Sequence, residues 1–149
     1  MNPYLLPGME KGPEVLLKLT LMVPESLWDV PTGPDRFSVR EVAAHMADWE
    51  PIMRGRIEQA AANPGSVITA YDEGQMALNG KYAERNPIEQ LELFRKERAI
   101  TTALVKALSP TVMKNVVLHP ERGEVSAEDL ANFLVGHDMY HVDQVLTLI

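Results

Sequence analysis

The chain has 149 residues, 46% of them hydrophobic, and a formal net charge of −7 from 21 acidic and 14 basic residues. It contains no cysteine, which excludes disulfides, thiolate metal ligands and a cysteine nucleophile. The acidic balance argues against nucleic-acid binding, because phosphate backbones would be repelled. The length and apolar content predict a single domain, residues 1–149, with a substantial core.

Targeting signals are not apparent in the sequence. The first eight residues lack the cationic region of a secretory signal, and prolines interrupt their short apolar run. No stretch approaches the about 20 apolar residues of a membrane span. We therefore expect a cytoplasmic protein that does not bind membranes.

Two helices are predicted in the first half of the chain. Apolar side chains recur at spacings of three and four over residues 10–23, which predicts the first. Ser38 and Glu41 have the spacing of a capping box, in which each side chain caps the other's backbone amide. This box predicts the start of a second helix over residues 39–62. Its inward stripe includes His45.

Two further helices are predicted in the second half. Asn86 followed by Pro87 is typical of a helix start, and apolar periodicity continues to about Leu108. Ser126 and Asp129 have the spacing of a second cap, which begins a helix reaching towards the C-terminus. Four long helices with a long crossover between the second and third indicate an all-α four-helix bundle.

The connections between these helices contain shorter predicted pieces. Residues 72–82 are compatible with a short helix, and residues 116–118 with an extended segment that has no evident strand partner. His119 follows in a proline-flanked loop and is interpreted as a surface histidine.

Charged residues on the predicted helices are expected to be solvated. Arg95, Lys96 and Arg98 form the densest basic cluster, but glutamates are interleaved with them. Asp138 and Asp143 flank the histidines of the last helix and are likewise interpreted as surface charges.

Three histidines form the candidate functional site. His137 and His141 are four residues apart, so their imidazoles share one helix face, and both fall on the apolar stripe. His45 lies on the stripe of another helix. Asp48 and Gln144, each three residues after a histidine, are candidates to orient the ligands, and Asp48 could instead be a fourth ligand. The structural alternative is a set of core histidines bonded to carbonyl groups.

Three neutral imidazoles would leave coordination positions open for water or substrate, as in catalytic metal sites. Such a ligand set accepts zinc, nickel, cobalt, copper or iron, so the residues alone do not identify the metal.

With these residues in place, the chain resembles the DinB/YfiT-like superfamily. The resemblance is carried by Phe37-Ser-Val-Arg-Glu-Val-Ala-Ala-His45-Met-Ala-Asp-Trp49-Glu and by Gly136-His137-Asp-Met-Tyr-His141-Val-Asp-Gln144. The segments Tyr71-Asp-Glu and Tyr82-Ala-Glu-Arg-Asn-Pro87 also resemble it. The family's histidine triad corresponds to His45, His137 and His141.

The resemblance implies an up-down-down-up bundle that binds a divalent metal, most often zinc or nickel, with iron, cobalt or manganese as further options. It also implies a homodimer. Characterised relatives include thiol-dependent S-transferases and a mycothiol-dependent isomerase. We therefore expect a metal-dependent transferase that uses a low-molecular-weight thiol, or a hydrolase using the same site. The alternative is a non-catalytic metal-binding or stress-response module.

Overall fold

A computed structural model describes residues 1–149, which form five α-helices, three 3₁₀ turns and one β-hairpin. The α-helices are α1 (Leu5–Met22), α2 (Val39–Ala62), α3 (Glu73–Asn79), α4 (Pro87–Ala107) and α5 (Ala127–Leu146). The strands are β1 (Val116–His119) and β2 (Gly123–Ser126), and the 3₁₀ turns are Glu25–Leu27, Tyr82–Glu84 and Val112–Lys114. No helix combines the length with the apolar character that a membrane span requires.

The four long helices α1, α2, α4 and α5 form the predicted bundle. Helices α1 and α2 each pack against both α4 and α5, so consecutive α1 and α2 lie diagonally across the bundle. Gly8 of α1 lies against Val135 of α5. One helical turn later, Gly12 lies against Asp138, so α1 and α5 run in the same direction.

Helices α2 and α4 also run in the same direction. Arg40, near the start of α2, donates to the carbonyl of Arg85 just ahead of α4. Further along both helices, Arg54 pairs with Glu97 at 2.8 Å. His45 and Trp49 of α2 meet α5 in reverse order, so α2 and α5 are antiparallel. This is the up-down-down-up order, and the segment containing α3 is the long crossover.

Local sequence signals explain where these helices begin. Both predicted caps are present, at Ser38 and at Ser126, and each forms a capping box; Asn86 caps α4 with its side chain. Helix α1 begins at Leu5, five residues earlier than predicted. Pro7 does not prevent this, because it lies in the first turn, where backbone amides make no hydrogen bond within the helix.

The extended segment after α4 has a partner, contrary to the sequence-based expectation. Strand β1 pairs antiparallel with β2, and Val117 lies opposite Val125. Gly123 adopts a φ of 75°, which favours glycine and allows the short turn between the strands. The hairpin was missed because β2 contains one apolar residue, which gives no strand pattern.

The core consists of two large apolar clusters with a layer of polar side chains between them, and of a third cluster with only three buried residues. The first large cluster includes Ile57 of α2 and Leu134 of α5. The second includes Val42 of α2 and Val145 of α5. On α5, His141 lies between Leu134 of the first cluster and Val145 of the second, so the polar layer crosses the middle of the bundle.

Candidate metal centre

The three predicted histidines meet in this polar layer. His45 lies on the buried face of α2, and His137 and His141 lie one turn apart on α5. The Nε2 atom of His137 is 3.0 Å from the Nε2 atoms of both His45 and His141. One nitrogen from each ring lies within 4.8 Å of the other two. Helices distant in sequence thus bring three potential ligand atoms to one point.

Burial keeps these imidazoles neutral. Desolvation lowers the pKa of His45 to about 3, that of His137 to about 2 and that of His141 to about 4. For His45 and His137, the charge of a neighbouring imidazolium acts in the same direction. The neutral imidazole is the form that binds a metal ion.

The donor set fits a divalent metal ion. A zinc–nitrogen distance of about 2.0–2.1 Å implies nitrogens about 3.3 Å apart in a tetrahedral site. This is close to the 3.0 Å that separates Nε2 of His137 from each of the other two Nε2 atoms. A neutral imidazole has one N–H and one nitrogen lone pair. When each Nδ1 carries the hydrogen, the three facing Nε2 atoms are all acceptors, and none can donate a hydrogen bond to another. A cation at their centre would accept all three lone pairs.

Gln144 sets the tautomer of His141. Its Oε1 lies 2.5 Å from Nδ1 of His141. An amide oxygen only accepts, so Nδ1 carries the hydrogen and Nε2 presents its lone pair to the cluster. Gln144 in turn donates to Oγ1 of Thr32 at 3.2 Å, and Thr32 donates to the carbonyl of Phe37. The loop before α2 therefore supports the site, a role for Thr32 that the sequence did not indicate.

Asp48, a candidate to orient His45 or to be a fourth ligand, makes no hydrogen bond to His45 and lies outside the group of three histidines. Its Oδ1 accepts from Nη1 of Arg85 at 2.8 Å. The cation of Arg85 attracts this carboxylate towards the side of α2 that faces the crossover. Nδ1 of His45 is buried without a hydrogen-bond partner. Instead the ring is held by stacking on Trp49, with 5.6 Å between ring centres and an angle of 27°.

A cavity of about 410 Å³ adjoins the histidine cluster. His137 is the member of the cluster that lines it, beside Trp49 and Tyr71. His119, interpreted from the sequence as a surface histidine, lies at the end of β1 and is half-buried in the cavity wall. Arg56 also lines the cavity. A small molecule in this cavity would reach one side of the candidate metal centre.

A buried ion-pair network lies beside the histidines. Arg98 is 1% exposed and donates through Nε to Glu50 at 2.8 Å. Its Nη1 and Nη2 donate to the two carboxylate oxygens of Asp138 at 2.6 and 2.8 Å. Nη1 also donates to the carbonyl of Met9. The network therefore joins all four long helices at the level of His137.

The expectation that Arg98 and Asp138 are solvated was wrong. Both lie on the apolar stripes of their helices, at positions where a hydrophobic residue would be expected, and so does Glu50. Charged residues at stripe positions of three separate helices are the signal that could have predicted a buried network. Gly12 makes room for it, because a β-carbon there would overlap the Asp138 carboxylate.

Comparison with known proteins identifies the family and agrees with the fold. The sequence profile of the DinB superfamily matches residues 9–145, and the chain belongs to this superfamily. It is 30% identical over 113 residues to a candidate metal-dependent hydrolase of Oceanobacillus iheyensis, covering 75% of this chain and 64% of the relative. It is 23% identical over 141 residues to the candidate metal-dependent hydrolase YfiT of Bacillus subtilis, covering 94% and 79%.

Two solved structures share the architecture. That of YfiT, described as a four-helix bundle of unusual topology, matches with a TM-score of 0.90 at 22% identity, over 97% of this chain and 83% of that chain. That of a mycothiol-dependent maleylpyruvate isomerase matches with a TM-score of 0.75 at 13% identity, over 95% and 59%. The chain thus spans less than two thirds of the Oceanobacillus relative and of the isomerase.

Proposed function

We propose that this member of the DinB superfamily is a divalent-metal-dependent enzyme in which His45, His137 and His141 hold the ion. The observation that carries the proposal is the convergence of three neutral imidazoles, two buried and one half-buried, beside a cavity that could admit a small molecule. Zinc or nickel is the expected metal, since imidazole ligands suit both.

A divalent ion held there would supply Lewis-acid activation of a water molecule, a carbonyl group or a thiol. The residues of the chain provide the rest. Gln144 keeps the Nε2 lone pair of His141 directed into the cluster. Trp49 packs on His45 and forms part of the cavity wall, so it would exclude water from one side of a bound substrate.

Hydrolysis is the first reaction class that we propose. Relatives at 30% and 23% identity are named as candidate metal-dependent hydrolases. A three-histidine ligand set leaves a position for water, which hydrolysis requires. The cavity has the size of a small-molecule site, so the expected substrates are small esters or amides rather than polymers.

Thiol-dependent transfer is the second class, and a fold shared with a mycothiol-dependent isomerase over 95% of the chain favours it. The same open position would then bind a low-molecular-weight thiol as thiolate. A purely structural metal module is less well supported, because a closed metal site needs no adjoining cavity, whereas His137 lines one.

Metal removal and restoration test this proposal. A chelator removes bound metal from the untagged protein, which is then reloaded with zinc or nickel. Hydrolysis is assayed on small esters and amides, and thiol transfer on electrophiles with and without a low-molecular-weight thiol. We expect activity that returns with metal, is lost in His137→Ala, and is retained in Arg95→Gln, which removes an exposed charge on α4. Stoichiometric metal with no turnover in any assay would reject the enzyme and favour the non-catalytic module.

A further inference from the structure

The cavity beside His137 contains arginines that have no carboxylate partner. Most arginines of the chain form ion pairs, namely Arg40, Arg54, Arg85, Arg95 and Arg98. The exceptions are Arg36, Arg56 and Arg122, and the last two line this cavity. Two unpaired guanidinium groups in one cavity indicate a place for an anion.

Arg56 is the more unusual of the two because it is 7% exposed. Its Nη2 donates to the carbonyl of Thr69 at 2.8 Å, and Nη1 has only a weak contact with the sulfur of Met53 at 3.5 Å. Its Nε has no partner. A guanidinium has five N–H donors, so most of its capacity is unused. A buried charge left in this state is costly unless an anion completes it.

Aromatic rings hold both guanidinium groups at the cavity wall. The central carbon of Arg56 lies 5.2 Å from the ring centre of Trp49 and 5.8 Å from that of Tyr71. That of Arg122 lies 5.4 Å from the ring centre of Phe133. These are cation–π distances, so both charges are positioned without a direct ion pair. Trp49 also lies 6.3 Å from the ring of His137, which places Arg56 and the metal centre against the same indole.

The charge and lining of the cavity favour a carboxylate with an apolar body. Glu73 and Glu121 also line the cavity, although neither pairs with an arginine. Their two negative charges offset the two arginine charges, so the cavity favours a ligand with a single negative charge over a phosphate dianion. Planar carboxylates match the fork of a guanidinium. The aromatic and aliphatic walls would pack against the rest of the ligand.

We propose that Arg56 and Arg122 form a binding site for the carboxylate of a small, partly apolar substrate, whose reactive group then lies beside His137. The part of this inference that concerns the reactive group rests on the proposed metal-dependent activity. The binding of the carboxylate itself does not require the metal.

Calorimetric titration tests the site with acetate, benzoate and phenylacetate, each compared with its neutral amide. The titrations use wild-type protein, Arg56→Gln, Arg122→Gln and the matched control Arg95→Gln, in metal-free and in zinc-loaded form. We expect wild type and the control to prefer an apolar carboxylate over its amide. Each cavity variant should weaken carboxylate binding by about tenfold or more and leave amide binding unchanged. Arg122 is exposed, so its variant should fold even if Arg56→Gln is destabilised.

Several outcomes would overturn the site. Equal affinity of wild type for acids and amides would do so, as would affinities in the cavity variants within twofold of the control. Tighter binding of phenyl phosphate than of phenylacetate would reject the carboxylate assignment. Carboxylates that bind only zinc-loaded protein, regardless of the arginines, would reject the site and leave the metal centre standing. A protein that takes up no metal but keeps the arginine-dependent preference would reject the proposed function and leave the site standing.

Discussion

Replacing Arg98 with methionine should destabilise the bundle strongly. The substitution removes the cation that bonds Glu50 and both oxygens of Asp138, and leaves two buried carboxyl groups without a partner. Breaking a buried pair in this way costs about 3–5 kcal/mol. At about 2–4 °C per kcal/mol for a chain of this size, the melting temperature should fall on the order of 10 °C.

Thermal and urea unfolding of metal-free protein would measure this loss. Arg95→Met is the matched control, because Arg95 lies on the same helix, is exposed and pairs with Glu92 on the surface, where such a pair is worth about 0–1 kcal/mol. Replacing Glu50 and Asp138 as well with apolar residues should recover much of the stability, since no buried charge then remains. The reasoning is refuted if Arg98→Met loses no more stability than Arg95→Met.

Three further predictions concern the site and its surroundings. Because burial lowers the pKa of each cluster histidine below its ordinary 6.5, the unfolded chain takes up protons first as the pH falls. The free energy of unfolding of the metal-free protein should therefore fall by up to about 1.4 kcal/mol per histidine for each pH unit below 6.5. Urea unfolding at pH 7, 6 and 5 should show a smaller decrease in His137→Ala than in wild type. An equal decrease in both proteins would contradict this prediction. Gly12→Ala should destabilise the protein by about 1–3 kcal/mol, because the added β-carbon would overlap Asp138. A melting temperature within 1 °C of wild type would contradict this, since it would mean that the two helices move apart at no cost. Gln144→Leu should weaken zinc affinity about 10–100-fold, because the hydrogen of His141 would no longer be held on Nδ1. Competition with a chelator measures this affinity, and an unchanged value would contradict the prediction.

Features encoded by short-range spacing could be predicted from the sequence. A capping box acts over three residues, so Ser38 and Ser126 identified the starts of α2 and α5. Apolar periodicity placed His45 on the inward face, and the four-residue spacing placed His137 and His141 side by side. These local rules predict a four-helix bundle with three inward-facing histidines, whereas the up-down-down-up order of its helices is implied by the family resemblance.

The remaining features depend on which helices pack together. Asp48 bonds Arg85, which is 37 residues away, and no local pattern distinguishes this partner from His45. Arg98 and Asp138 are predicted from the sequence as surface charges because their burial depends on how α4 and α5 both pack against α1 and α2. The cavity also escaped prediction, since its wall combines α2, the crossover, the hairpin and α5.

The most direct test of the metal centre is the metal content of the untagged protein after incubation with zinc or nickel and removal of unbound ions. It should be measured beside His137→Ala and beside His119→Ala, which removes the histidine outside the cluster. The account predicts near-stoichiometric metal in wild type and in His119→Ala, and its loss in His137→Ala. Wild-type protein without metal, or His137→Ala with the wild-type content, would contradict it.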